Sequence, residues 1–249
     1  MRRGRLPAAP TMPPGRHSAA ARAAAAVAFG PGAAVYRLLT GHAAWRADCR
    51  AMAAFVPGPR VLDLGVGPGT SALEMAGAAP ARRFVGLDRE AAMLRLSRRA
   101  AQALGVPLAL VRADALALPF PAASLDGATA HSFLYLLPDP AAALAEVRRV
   151  LRPGGAAVFL EPRAGRAQLS AAARAGPRCA ASMVLWRAMA RLHRRFDEAE
   201  LTAILCASGF AEVRAWPVLF GYGVMAVGRI APARRDAAGA PPASAPALG

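Results

Sequence analysis

The apolar positions of this chain fall into short β-like runs, separated by longer stretches in which they recur every three or four residues. The runs are Val61–Leu64, Phe84–Leu87, Leu108–Val111, Leu125–Ala130 and Ala156–Leu160. Each suits a strand buried on both faces and is too short for a helix. Helical spacing fills the gaps, as in Ala91–Ala103. Such alternation predicts a parallel sheet covered by helices. Turn chemistry sets the boundaries: Asp139 before Pro140 starts a helix that Pro153-Gly154-Gly155 stops, and Asp197 with Glu200 starts one that Gly209 ends. After Gly209 the pattern changes. Phe210–Val218 and Gly221–Arg229 are strand-like with too little chain between them for a crossover helix, so they read as a hairpin and the sheet finishes antiparallel.

Composition narrows the classes. The length of 249 residues suits one α/β domain with ragged ends. Proline, arginine and alanine without periodicity mark residues 1–20 and 231–249 as disordered tails around a single domain over 21–230. The net charge of +16 raises nucleic acid or an anionic membrane as partners. Every one of the 31 basic residues is arginine, however, and lysine and asparagine are absent, which points to GC-rich coding instead. No basic run with interleaved aromatics supports a polyanion. Cys49, Cys179 and Cys206 have neither disulfide nor zinc spacing, so no metal is expected. No apolar stretch is long enough to span a bilayer, and the alanine run ending at Phe29 lacks a strongly apolar core for a signal peptide. The expected compartment is the cytoplasm.

The most informative segment is VLDLGVGPGT, Val61 to Thr70. Glycines at a strand-to-helix turn let a ligand approach the backbone closely, and the helix that follows favours negative charge. A dinucleotide fingerprint asks for glycine where Thr70 stands and for no acid inside the strand, where Asp63 stands. Asp63 beside a ligand suits a cation, such as an α-amino group or a sulfonium. Asp88 closes VGLD on the next strand, within reach of the ribose hydroxyls of a nucleoside lying over Gly65 and Gly67. Asp114 closes the third strand, where a carboxylate accepts from an adenine amine and the Ala115 amide donates to the ring. Alone, Asp114 reads as a turn residue; in series with Asp63 and Asp88 it becomes a ligand candidate.

Together VLDLGVGPGT, VGLD, RADALALPFPAASLD, ALAEVRRVLRPGG and RRFDEAELTAILCASGF resemble the class I S-adenosylmethionine-dependent methyltransferases, in particular the branch with the ubiquinone and menaquinone C-methyltransferases. The resemblance runs from about Phe29 to Arg229. It implies a Rossmann-like three-layer α/β/α sandwich whose seven-stranded, mostly parallel sheet has its last strand antiparallel. S-adenosyl-L-methionine is the implied cofactor. The implied cofactor residues are Asp63, Gly65, Val66, Gly67, Pro68, Gly69, Asp88, Arg89, Met93, Asp114, Ala115 and His131. His131 would face the transferred methyl as general base, orienting group or wall. His193 reads as solvated.

Acceptor choice is expected from the cap segments, about 21–56 and 163–195, because loops at the carboxyl ends of strands form the second wall of such sites. Trp186, Arg187 and Tyr36 are the substrate candidates. Over Met183–Phe196, Met183, Trp186, Met189 or Ala190 and Leu192 make an apolar helix face with arginines around the other side. Such a helix suits a membrane surface, a lipophilic acceptor, or packing as a cap on the core. NPPY, common where nucleic-acid bases are methylated, is replaced by Ala130-His131-Ser132-Phe133, which leaves a small-molecule or lipophilic acceptor in front. The competing readings are a dehydrogenase, an aminopropyl-type transferase on the same fold, and a non-catalytic binding module.

Overall fold

The computed structural model describes residues 41–232. The tails expected at residues 1–20 and from residue 233 onward, the first part of the amino-terminal cap, and Tyr36 lie outside the described residues. The element order is α1 (Ala43–Met52), β1 (Arg60–Leu64), α2 (Thr70–Ala78), β2 (Arg83–Asp88), α3 (Ala91–Leu104), β3 (Ala109–Arg112), β4 (Leu125–His131), α4 (Pro140–Val150), β5 (Leu151–Pro162), α5 (Leu169–Arg174), α6 (Pro177–Arg191), α7 (Glu198–Ala207), β6 (Ala211–Val218) and β7 (Gly223–Arg229). The strands form one seven-stranded sheet in the order β3-β2-β1-β4-β5-β7-β6. All neighbours pair parallel except β7, which runs antiparallel to both β5 and β6. This is the three-layer fold that the apolar pattern predicts.

Successive side chains of a strand point to opposite faces, and the two cores follow that rule. Leu62, Leu64, Ala128, Ala130, Ala157 and Phe159 share one buried cluster with Leu144 and Val147 of α4 and Leu201 and Leu205 of α7. Val61, Val158 and Leu160 point the other way, into a cluster with Trp45, Cys49 and Met52 of α1 and Met183 and Trp186 of α6. Both faces of the central strands are covered, which is why these read as mostly apolar runs rather than as alternation.

Three boundaries differ from expectation. The helix expected to stop at Pro153 ends at Val150, and Pro153-Gly154-Gly155 lies within β5. Proline disfavours helical backbone at the residue before it. Leu151 is already extended, at φ −77° and ψ 140°. The expected Met183–Phe196 helix is shifted to Pro177–Arg191. Pro177 supplies its first turn. Its end is fixed by Phe196, which exchanges backbone bonds with Pro162 and Ala164 and is fully buried, so the chain must leave the helix first. Leu192, grouped with Met183 and Trp186 on one apolar face, is 48% exposed while those two are buried.

Candidate active site

The strand order turns back between β1 and β4, and in open α/β sheets ligands bind outside the carboxyl ends of strands at that point. Registers place Leu64 of β1 beside Leu87 of β2 and Ala130 of β4, and His131 beside Leu160 of β5. Gly65, Asp88, His131 and Glu161 therefore leave the sheet along one edge. Asp114 follows β3 on the same side, since Asp88 pairs with Arg112.

The glycine turn is shaped by conformation and by space. Gly65, Gly67 and Gly69 have φ of 61°, 52° and 92°. A Cβ on Gly65 would run into the Phe133 ring, whereas one on Gly67 would meet nothing nearer than the Gly65 carbonyl at 3.8 Å. Gly67 is thus the open member of the turn. Its N–H donates to Asp88 Oδ2 at 2.9 Å, and the Glu90 N–H donates to Oδ1 at 2.9 Å. Burial raises the Asp88 carboxyl above its usual range while these two donors pull it back. Asp88 joins the end of β2 to the middle of the glycine turn and remains partly exposed.

Several sequence candidates take other places. Asp63 has no exposed surface: Thr129 Oγ1 donates to Oδ1 at 2.7 Å and Ser71 Oγ to Oδ2 at 2.9 Å, clamping β1 to β4 and α2. Burial pushes its carboxyl up to about 6. Sequence alone placed Asp63 beside the ligand; here its oxygens brace the strands behind the turn and no part of the side chain is exposed. Val66 is 2% exposed and packs with Ala72 and Leu94; Gly86 gives it room. Met93 is 2% exposed and Pro68 is buried. Gly69 lies against the Ser97 hydroxyl. Arg89 points to solvent and pairs with Glu90 at 3.2 Å, a contact of little energetic weight. Asp114 is exposed and accepts from the Leu116 N–H at 2.9 Å, its turn-residue role, while Ala115 is buried.

On the opposite side the cap meets His131. The imidazole is 9% exposed; its Nδ1 lies 3.0 Å from Ser132 Oγ and its Nε2 is buried without a partner. Burial drives its pKa down to about 3, so it is neutral at neutral pH. Trp45 lies across it with ring centroids 4.5 Å apart, and Trp186 meets Trp45 edge-on at 5.0 Å. The Trp186 Nε1 is also buried and unpartnered. Arg187 donates to the Gly165 carbonyl at 3.1 Å and sits 5.7 Å from the Tyr222 ring centre. Desolvation and the nearby Arg195 and Arg191 charges lower its pKa. The structure thus brings His131 and Trp186 together, with Arg187 beside them. His193, expected in solvent, instead packs edge-on against Tyr135 at 5.6 Å.

Two residues that the sequence reading did not single out organise this wall. Trp45 is one, on a helix whose first turn His42 caps by accepting from the Trp45 N–H at 3.3 Å. Glu161 is the other. Fully buried at the end of β5, it accepts from the N–H groups of Phe133, Leu134 and Tyr135 at 3.1, 2.8 and 3.2 Å. These bonds wrap the turn after β4 around one carboxylate, hold Ser132 at φ 56° and set Phe133 over Gly65. The signal was an acid closing an otherwise apolar strand, FLEP.

Residues 61–155, the segment that builds this edge from β1 through the start of β5, match the family model described as a methyltransferase domain. This stretch is a methyltransferase domain. Over 102 residues this chain is 43% identical to the demethylmenaquinone methyltransferase of Thermus thermophilus, covering 41% of this chain and 46% of that protein. Over 103 residues it is 41% identical to the trans-aconitate 2-methyltransferase of Azoarcus, covering 41% of this chain and 39% of that protein. In both cases the match spans less than half of the relative's own length. The crystal structure of an Aquifex aeolicus SAM-dependent methyltransferase superposes with a TM-score of 0.57 at 18% identity, over 74% of this chain and 89% of that one. At that identity the likeness establishes the fold. The matched methyltransferase domain stops before α6, so the Trp186 and Arg187 side of the wall lies outside it.

Proposed function

We propose that this chain is an S-adenosylmethionine-dependent methyltransferase acting on a small lipophilic acceptor. The observation that carries the reading is the junction of Gly67 and Asp88: an open, positive-φ glycine bonded to a partly exposed carboxylate at the turning point of the sheet. A carboxylate there takes a ribose diol, and the bare backbone of Gly67 gives the nucleoside close approach. The residues present fit that group. Asp88 would hold the ribose, Asp114 and the Ala115 amide the adenine, and Gly65 and Gly67 the methionine part.

When bound, the cofactor supplies an electrophilic methyl on a sulfonium. The chain's own residues do the rest. His131, kept neutral by burial, adds no charge that would repel a sulfonium. Trp45 and Trp186, both buried, exclude water from beside His131. Catalysis then rests on alignment in line with the methyl and on desolvation, with no dedicated acid and base required. The demethylmenaquinone methyltransferase relative supports a lipophilic acceptor.

The test is a calorimetric titration with S-adenosylhomocysteine, with NAD and decarboxylated S-adenosylmethionine alongside. Micromolar affinity for S-adenosylhomocysteine alone is expected, falling by about tenfold or more, equivalent to about 1.4 kcal/mol or more, in Asp88→Ala. Circular dichroism monitors the fold of the variant. Preference for another nucleotide, or undiminished affinity in a folded Asp88→Ala protein, overturns the assignment.

A further inference from the structure

The cap helix α6 is apolar on two opposite sides. Cys179, Met183, Trp186 and Ala190 are buried against the core. At 3.6 residues per turn, Ala181, Val184, Leu185 and Ala188, with Leu192 just past the end, fall within an arc of about 100° on the other side. All five are exposed. Arg178 and Arg191, also exposed, stand at the two borders of that arc. A helix packed on a soluble core ordinarily turns polar side chains to water; this one turns aliphatics outward between arginines. Four of the six large hydrophobic side chains exposed among the described residues, Leu169, Val184, Leu185 and Leu192, belong to α5, α6 or the residue after it. Residues 163–195 hold eight arginines and no aspartate or glutamate.

We propose that this outer face of the cap docks on an anionic lipid bilayer, with Val184, Leu185 and Leu192 entering the boundary between headgroups and acyl chains. Arginines bordering an aliphatic stripe lay their stems along the apolar region and extend their guanidiniums to lipid phosphates. Charge favours a lipid over the other occupants. Residues 1–40 carry six arginines and no acid, so laying them on the cap would bring like charges together. A two-fold contact with a second copy would do the same, setting arginines against arginines. No helix among the described residues is long and apolar enough to cross a membrane, so the contact is peripheral. Because the inner side of the same helix carries Trp186, a lipophilic acceptor would pass from the bilayer to the proposed methyl-transfer site along one element. The docking surface itself rests on α6 alone and stands apart from the cofactor assignment.

The test is co-sedimentation of the full chain with extruded vesicles of phosphatidylglycerol and phosphatidylcholine, against vesicles of phosphatidylcholine alone. Binding about tenfold stronger to the anionic vesicles is expected, weakening with salt. Leu185→Ser with Leu192→Ser, and separately Arg178→Gln with Arg191→Gln, should each lower it by about tenfold. All the substituted residues are exposed, and unchanged melting and unchanged S-adenosylhomocysteine affinity establish that the variants fold. Absence of binding, equal binding to both vesicle types, or binding indifferent to the leucine pair overturns the proposal. So does a wild-type dimer in sedimentation velocity that the leucine pair converts to monomer, which would make the face a contact between copies. Failure to bind S-adenosylhomocysteine alongside normal vesicle binding would overturn the cofactor assignment and leave this surface standing.

Discussion

The Trp45 indole lies across the His131 imidazole, with ring centroids 4.5 Å apart and planes 32° from parallel. One residue comes from the cap and the other from the end of β4, so the contact joins the cap to the sheet edge. It also contributes to the burial that holds His131 neutral. A histidine whose folded pKa lies below its unfolded value of 6.5 makes the unfolded chain the better proton acceptor. Stability is therefore lost as pH falls from about 6.5 toward 3.

Trp45→Ala should open His131 to water and move its pKa upward toward 6.5, read from the imidazole proton shifts by NMR. Removing a buried tryptophan also costs about 3–5 kcal/mol, measured by chemical denaturation. If the imidazole titration stays where it was, the desolvation comes from elements other than α1.

Glu161 has the opposite sign. Burial raises its carboxyl from 4.5 to about 8, against the pull of three backbone N–H donors. The folded chain then keeps a proton that the unfolded chain has released, so stability falls as pH rises between 4.5 and 8. Above about pH 6.5 the His131 contribution is gone, which isolates the Glu161 slope. Denaturation midpoints should decline from about pH 6.5 to 8 in the wild type and be flat in Glu161→Gln. A slope that persists in the variant assigns the proton elsewhere.

Gly65 and Gly67 separate strain from collision. Gly67→Ala meets open space and should cost about 1–2 kcal/mol for the left-handed backbone alone. Gly65→Ala adds a collision with the Phe133 ring and should cost more. Phe133→Ala placed on top of Gly65→Ala should restore part of the loss. Equal costs at the two glycines, with no coupling to Phe133, would mean that the ring does not press on the turn.

The sheet was legible because its central strands are buried on both faces and write short, mostly apolar runs, and because Asp139, Pro140 and Asp197 cap as their chemistry dictates. The glycine turn was legible because glycines at alternate positions after an apolar strand supply the positive φ that the turn adopts. Leu192 was misplaced for a physical reason. The apolar residues of α6 lie on both sides of the helix, and no single periodicity distinguishes the face that packs from the face that does not. Trp45 and Glu161 escaped because their weight comes from partners far along the chain: His131 and Trp186 for the first, the turn at Phe133–Tyr135 for the second.

Asp63 shows where sequence position and role part company. It lies two residues before the glycine turn, yet both of its oxygens are taken by Thr129 and Ser71 with no surface exposed. An asparagine keeps both contacts, because the Thr129 and Ser71 hydroxyls rotate to accept as readily as they donate. Asp63→Asn should therefore leave stability and S-adenosylhomocysteine affinity nearly unchanged at neutral pH. It should also remove a proton uptake that appears as pH falls through about 6. Asp63→Ala strands two buried hydroxyls and should cost about 1–3 kcal/mol. Direct contact with the cofactor predicts the reverse pattern: an Asp63→Asn protein of ordinary stability whose affinity has dropped by about tenfold or more. Calorimetry and denaturation on the same two variants decide between them, since a buried clamp moves the melting curve and a ligand contact moves the binding isotherm.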